Sequence, residues 1–136
     1  MIFLDTNILL YSISEAPEER SKKLRAVELM LRMDACISAQ VLAEFYHNAT
    51  RKIETTMSRE DVLDWLGNIT MPCVEVDSLL VQEGARMSEK HQTSYWDGAI
   101  LAAAERMGCD TVYSEDLNAG QDYGSVTVID PFKEAA

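Results

Sequence analysis

Positive charge is scarce in this sequence: 12 Lys and Arg stand against 23 Asp and Glu, for a formal net charge of -11. A general nucleic-acid binder carries a basic footprint for the phosphates, so that class is excluded unless a cation supplies the missing charge. Histidine is scarcer still. His47 and His91 have no histidine or cysteine partner at ligand spacing, so they read as solvated or helix-end residues without metal chemistry. Cys36, Cys73 and Cys109 are an odd count, too widely spaced for a zinc knuckle. Each sits in a strand-like apolar segment and reads as a small buried hydrophobe. No stretch approaches the ~20 apolar residues of a membrane span, and the amino terminus lacks the basic region of a signal peptide. Neither a membrane segment nor a leader is expected, and a cytoplasmic location is. Repeats and low-complexity tracts are also missing, and the three prolines are scattered.

What remains is an alternation of short apolar runs and helical periods. At 136 residues the chain suits one domain, residues 1–136, whose core buries roughly two thirds of the unfolded surface. "MIFL" reads as a buried strand and "NILLYSI" as helix or turn, with Pro17 at a first helical position beside Glu18 and Glu19. Leu24, Val27 and Leu31 recur at helical spacing as a core stripe. Leu29, Met30 and Met33 fall outside that stripe, which calls for a second helix, another chain or dense packing to cover them. "ACIS" is the next strand, and "AQVLAEFYHNATRK" a helix with Val41, Leu42, Phe45 and Ala49 on one face. Ser58 and Asp61 form a capping box before a stripe of Val62, Trp65, Leu66 and Ile69. "CVEV" is a third strand; Asp77 caps the following helix; Ser94 opens another that Gly108 closes; "CDTVYS" and "VTVI" complete the strands. This order predicts an α/β fold, a three-layer α/β/α sandwich around a mostly parallel sheet with right-handed crossovers.

Such sheets bind ligands outside the carboxyl ends of the strands, where the strand order reverses. Asp5 ends the first strand, Glu44 lies on the helix after the second, Asp97 starts the helix before the fourth, and Asp116 follows the fourth. If the first and fourth strands are neighbours, all four acids can face one cleft. Two like charges ~4 Å apart repel by about 4 kcal/mol at an effective dielectric of 20. Such a cluster therefore needs a proton, deep hydration or a cation. An all-oxygen set suits Mg2+ or Mn2+ rather than zinc. Simpler roles compete at each position: Asp5 as a helix cap, Glu44 flanking a buried stripe, Asp97 in an S-x-x-D cap, and Asp116 in a turn.

"LDTNILLY", a mid-chain "AEF" and "SYWDGAILAAAERMGCDTVYSEDLNAGQ" together resemble the PIN-domain family, specifically the VapC-like toxin ribonucleases of toxin–antitoxin pairs. The likeness spans nearly the whole chain and is most specific in its carboxyl-terminal segment. It implies a Mg2+- or Mn2+-dependent endoribonuclease whose acidic quartet is Asp5, Glu44, Asp97 and Asp116, supported by Thr6, Asn7 and Ser114. One ion is expected on Asp5 and Asp97, with Glu44 reaching it directly or through water; Asp116 would hold a second ion or orient the attacking water. An RNA substrate, a homodimer and an antitoxin that enters or adjoins the cleft are implied as well. The competing readings are an inactive PIN-like binding protein, a Mg2+-binding receiver domain and a phosphatase of the haloacid dehalogenase type. "LDTN" supplies one acid where the last two require two.

Overall fold

The first strand, β1 (Ile2–Leu4), is apolar throughout because it runs through the middle of a sheet covered on both faces; all three residues are buried. In this computed structural model, which describes residues 1–51 and 57–134, the elements continue as α1 (Thr6–Ser12), a 3-10 turn (Pro17–Glu19), α2 (Arg20–Met30), β2 (Ala35–Ser38) and α3 (Ala39–Ala49). They are followed by α4 (Arg59–Asn68), β3 (Cys73–Val74), α5 (Ser78–His91), α6 (Tyr95–Arg106), β4 (Thr111–Tyr113), β5 (Asp122–Tyr123), β6 (Val126–Ile129) and α7 (Pro131–Glu134). Lys52, the last residue of the segment read as the third helix, lies outside the described residues, as do Ala135 and Ala136 of the domain taken as 1–136.

The sheet order is β3-β2-β1-β4-β6-β5, parallel except for the β5–β6 pair. The first and fourth strands are neighbours, with Ile2 opposite Thr111 and Leu4 opposite Tyr113. The chain builds outward from β1 on one side and from β4 on the other, so the strand order reverses between them and their carboxyl ends open a crevice. One group of helices links α1 to α2 and α3, α3 to α4, and α2 to α7; α5 and α6 pack on each other. These are the outer layers of the expected α/β/α sandwich.

Capping follows the sequence closely. The side chains of Ser38, Ser58, Asp77 and Ser94 each accept a backbone N–H three residues on. Gly108 ends α6 with φ +74°, a left-handed conformation that favours glycine.

The structure corrects four expectations. Leu24, Val27 and Leu31 are not a core stripe: they are 60%, 37% and 77% exposed, and Ala26 and Leu29 are buried instead. Periodicity fits both faces of α2 equally well. The inward face also carries Lys22 over the Tyr11 ring at 4.8 Å and Arg25 over Tyr113 at 5.9 Å, so charged heads with apolar stems occupy ground that polarity alone assigns to solvent. Cys36 and Cys109 are buried with their sulfurs 3.2 Å apart, whereas Cys73 is exposed because β3 is the sheet's edge strand. Pro17 opens a 3-10 turn ahead of α2 rather than α2 itself. Finally, the sequence reading completes the strands with "CDTVYS" and "VTVI", whereas β5 lies between them and pairs antiparallel with β6 through a turn at Gly124.

Helices α5 and α6 meet backbone to backbone. A Cβ on Gly98 would lie 2.4 Å from the Gly84 carbonyl oxygen and 2.7 Å from the Ser88 nitrogen, neither of which can move without shifting a helix. Gly98→Ala should therefore lower the melting temperature by about 5 °C or more, given overpacking costs of ~1–3 kcal/mol. Gly67→Ala on α4, where a Cβ meets nothing within 4 Å, should leave it unchanged or slightly raised. Thermal melts of the two variants check this, and equal effects would contradict the close approach.

Candidate active site

At the carboxyl end of β1, Asp5 leaves the strand and caps α1, its Oδ1 accepting the Thr6 N–H at 2.7 Å. Its Oδ2 accepts the Ser114 hydroxyl at 2.7 Å, from the residue immediately after β4. This bond exists because β1 and β4 are adjacent and in register. The Ser114 oxygen in turn accepts the backbone N–H of Asp116 at 3.1 Å and of Leu117 at 3.2 Å, and the Asn7 amide at 3.3 Å. One hydroxyl thus fixes both Asp5 and the turn that carries Asp116.

Thr6 reaches the other way. Its Oγ1 donates to Glu44 Oε2 at 2.8 Å, while Gln40, one turn earlier on α3, donates to Glu44 Oε1 at 3.0 Å. Asn7 donates to Asp116 Oδ2 at 3.2 Å and accepts the Glu115 N–H through its Oδ1 at 3.2 Å. Asp97 stands apart from this network: Thr93 donates to its Oδ2 at 3.1 Å, and its own N–H is capped by Ser94 at 3.1 Å. All four acids nevertheless line one cleft of about 560 Å³, with Thr6 and Asn7. Ser114 lies beneath it, fully buried. The capping roles of Asp5 and of the "SYWD" segment coexist with their place in the cleft.

Burial pushes the Asp5 carboxyl from 3.8 up to about 6, with the negative charges of Glu44 and Asp116 adding to the shift against the lowering hydrogen bonds from Ser114 and Thr6. Among the described residues no Lys, Arg or His forms an ion pair with Asp5, Glu44, Asp97 or Asp116. The donor set is all oxygen, which fits a hard divalent cation by type. No three of these acids yet converge closely enough to hold one, and the same is true of every His, Cys, Asp and Glu group among the described residues.

Several residues of the cleft escape sequence reasoning. Glu115, between two motif residues, is held by Lys22 at 2.6 Å and by the Tyr11 hydroxyl at 2.6 Å. Burial opposes its ionisation, but those two bonds keep its carboxyl below the usual range. Gln40 had a legible signal in its four-residue spacing from Glu44. Trp96 had none beyond lying near Asp97, and neither had Thr93, which donates to Asp97 from outside the cleft lining. His91 ends α5, as expected for a helix-end histidine, and meets the Tyr123 ring edge-on.

A raised carboxyl pKa means that the folded state keeps a proton the unfolded chain has lost, so stability falls as pH climbs from 3.8 to about 6. The full effect is about 3 kcal/mol. In chelator, the melting temperature of Asp5→Asn should gain on the parent across that window and then level off. A gap independent of pH would show that Asp5 titrates normally.

The family model described as "PIN domain" matches residues 2–121. A search of curated proteins finds no significant match. Among solved structures, the chain is similar to VapC20 of Mycobacterium tuberculosis, a toxin that cleaves the sarcin-ricin loop: TM-score 0.67, 18% identity, over 85% of this chain and 90% of that one. FitAcB of Neisseria gonorrhoeae superposes with TM-score 0.64 at 22% identity over 97% and 99% of the two chains. A toxin–antitoxin complex from Klebsiella pneumoniae gives 0.66 at 18% over 96% and 98%. At these identities the likeness establishes the shared fold.

Proposed function

The chain belongs to the PIN domain family, and from that premise we propose that it is a Mg2+- or Mn2+-dependent endoribonuclease, the toxin of a toxin–antitoxin pair. The observation that carries this reading is the gathering of Asp5, Glu44, Asp97 and Asp116 on one cleft without a basic partner among the described residues. A structural cluster of acids would be paired; four unpaired ones on a protein of charge -11 are costly unless a cation arrives.

Asp5 and Asp97 would hold the ion, with Glu44 and Asp116 at its margins. Once bound, a divalent cation supplies charge neutralisation for a phosphodiester and lowers the pKa of a water. The chain's own groups do the positioning. Ser114 and Thr6 fix the two oxygens of Asp5 so that its carboxylate keeps one orientation, and Thr6 with Gln40 does the same for Glu44. Asp116, exposed and steadied by Asn7, orients the attacking water by accepting a hydrogen bond from it. The water oxygen bonds to phosphorus as the ribose oxygen leaves and takes up a proton.

Two features support a protein partner. Glu18, Glu19 and Glu115 join the four acids on the cleft lining, and among the described residues no Lys, Arg or His does, so a basic segment complements it. The chain runs from Glu18 and Glu19 directly into α2, whose outer face presents Leu24, Val27 and Leu31, followed by the fully exposed Met33. An antitoxin with apolar anchors on α2 and a basic stretch in the cleft fits both. A homodimer accompanies it, with the toxin acting in the cytoplasm.

Cleavage of single-stranded RNA should require millimolar Mg2+ or Mn2+ and vanish in chelator. Asp5→Asn and Asp97→Asn should each lose about 100-fold or more in rate while melting cooperatively. Full activity in both variants would remove these residues from the reaction, and a folded parent that cuts no RNA would leave the binding-protein reading. Leu31→Glu should weaken capture of the protein encoded by the adjoining reading frame, measured by co-purification, and sedimentation of the parent should give twice the 15.3 kDa chain mass.

A further inference from the structure

Trp96 offers a flat apolar surface that the fold leaves largely uncovered. The residue is 62% exposed although tryptophan is among the costliest residues to leave in water, and it lines the same cleft as the four acids. It is also held in place. Trp96 stands at the start of α6, one residue before Asp97, and its carbonyl oxygen accepts the Gln40 amide at 3.2 Å, the same amide that steadies Glu44. The Tyr95 ring meets the indole edge-on, with centroids 5.0 Å apart and planes at 76°. A perpendicular contact of this kind occupies at most one face of the indole and leaves the other unspent.

Among the described residues, the other aromatic side chain of the lining is already committed. Tyr11 carries the Lys22 ammonium over its ring at 4.8 Å, donates its hydroxyl to Glu115 and meets Phe132 at 4.9 Å. Among the described residues no cation lies over Trp96. Among the described residues the lining also lacks any base that would grip phosphates, so affinity for a polyanion has to come from elsewhere. Stacking of a nucleobase on an aromatic ring supplies it without charge, at ~1–3 kcal/mol per base, and only an unpaired base can present its face.

We infer that Trp96 is a stacking platform for one unpaired nucleobase of the RNA, next to the phosphodiester held over Asp5 and Asp97. The inference rests on the ribonuclease reading. It makes Trp96 a substrate-binding residue that selects single strands over duplex, acting on affinity rather than on the chemical step.

The test compares the parent with Trp96→Ala and Trp96→Phe on a labelled single-stranded RNA and on a hairpin whose stem buries the same bases. Trp96→Ala should raise KM for the single strand about tenfold with kcat within about threefold, and Trp96→Phe should restore most of the loss. The hairpin should be a poor substrate for all three. Unchanged KM in Trp96→Ala overturns the inference while leaving the ribonuclease reading intact. So does a fall in kcat alone, which would make the residue a support for Asp97, or a defect confined to binding of the protein partner. If the parent cuts no RNA, anisotropy of the labelled single strand with Ca2+ decides: weaker binding by Trp96→Ala supports the platform, and equal or absent binding overturns it.

Discussion

The hydrogen bond from Ser114 to Asp5, 2.7 Å long and sealed from solvent, is the join on which the site depends. It ties the residue after β1 to the residue after β4, and so exists only where the sheet brings those two strands side by side. Its acceptor is a carboxylate taken out of water, and its donor oxygen gathers two backbone amides and the Asn7 side chain. A charge-assisted bond of this kind contributes ~1.5–3 kcal/mol. That offsets part of the desolvation of Asp5 and leaves the carboxyl pKa near 6. The residual penalty is stored where a cation can relieve it.

The distribution of positive charge sharpens the contrast. Lys22 is spent on Glu115 and Tyr11, Arg106 on Asp77 and Glu83, and Arg32 on Asp34. These pairs are all partly exposed, and each adds modestly to stability. The cleft has two sides as a result: at Glu115 an acid is neutralised by the fold, whereas Asp5, Glu44, Asp97 and Asp116 have no ion-pair partner among the described residues. Glu115 and Asp116 are consecutive, yet one is held by a cation and a phenol while the other is exposed and accepts an amide.

The fold was legible wherever a local rule had one outcome. Short apolar runs bounded by caps marked β1, β2, β4 and β6, and the caps at Ser58, Asp77 and Ser94 stand as read. The candidate acids were legible because carboxylates at strand ends and helix starts are individually conspicuous, although only the pairing of β1 with β4 brings them to one cleft. What escaped depended on partners distant in sequence. The buried face of α2 was chosen by Tyr11 and Tyr113, the exposure of Cys73 by the edge position of β3, and the Gly84–Gly98 contact by the docking of two whole helices.

The three thiols form a graded series built into the sheet. Cys73 sits on the open edge, while Cys36 and Cys109 flank the central strand, and burial pushes the Cys36 thiol up to about 12. An alkylating reagent needs access as well as thiolate, so the native molecule offers it a single exposed sulfur, whose own thiol desolvation and Glu75 push up, and conceals a pair. The rate at which that pair becomes labelled is then a clock for the opening of the central strands, and it needs no probe to be introduced.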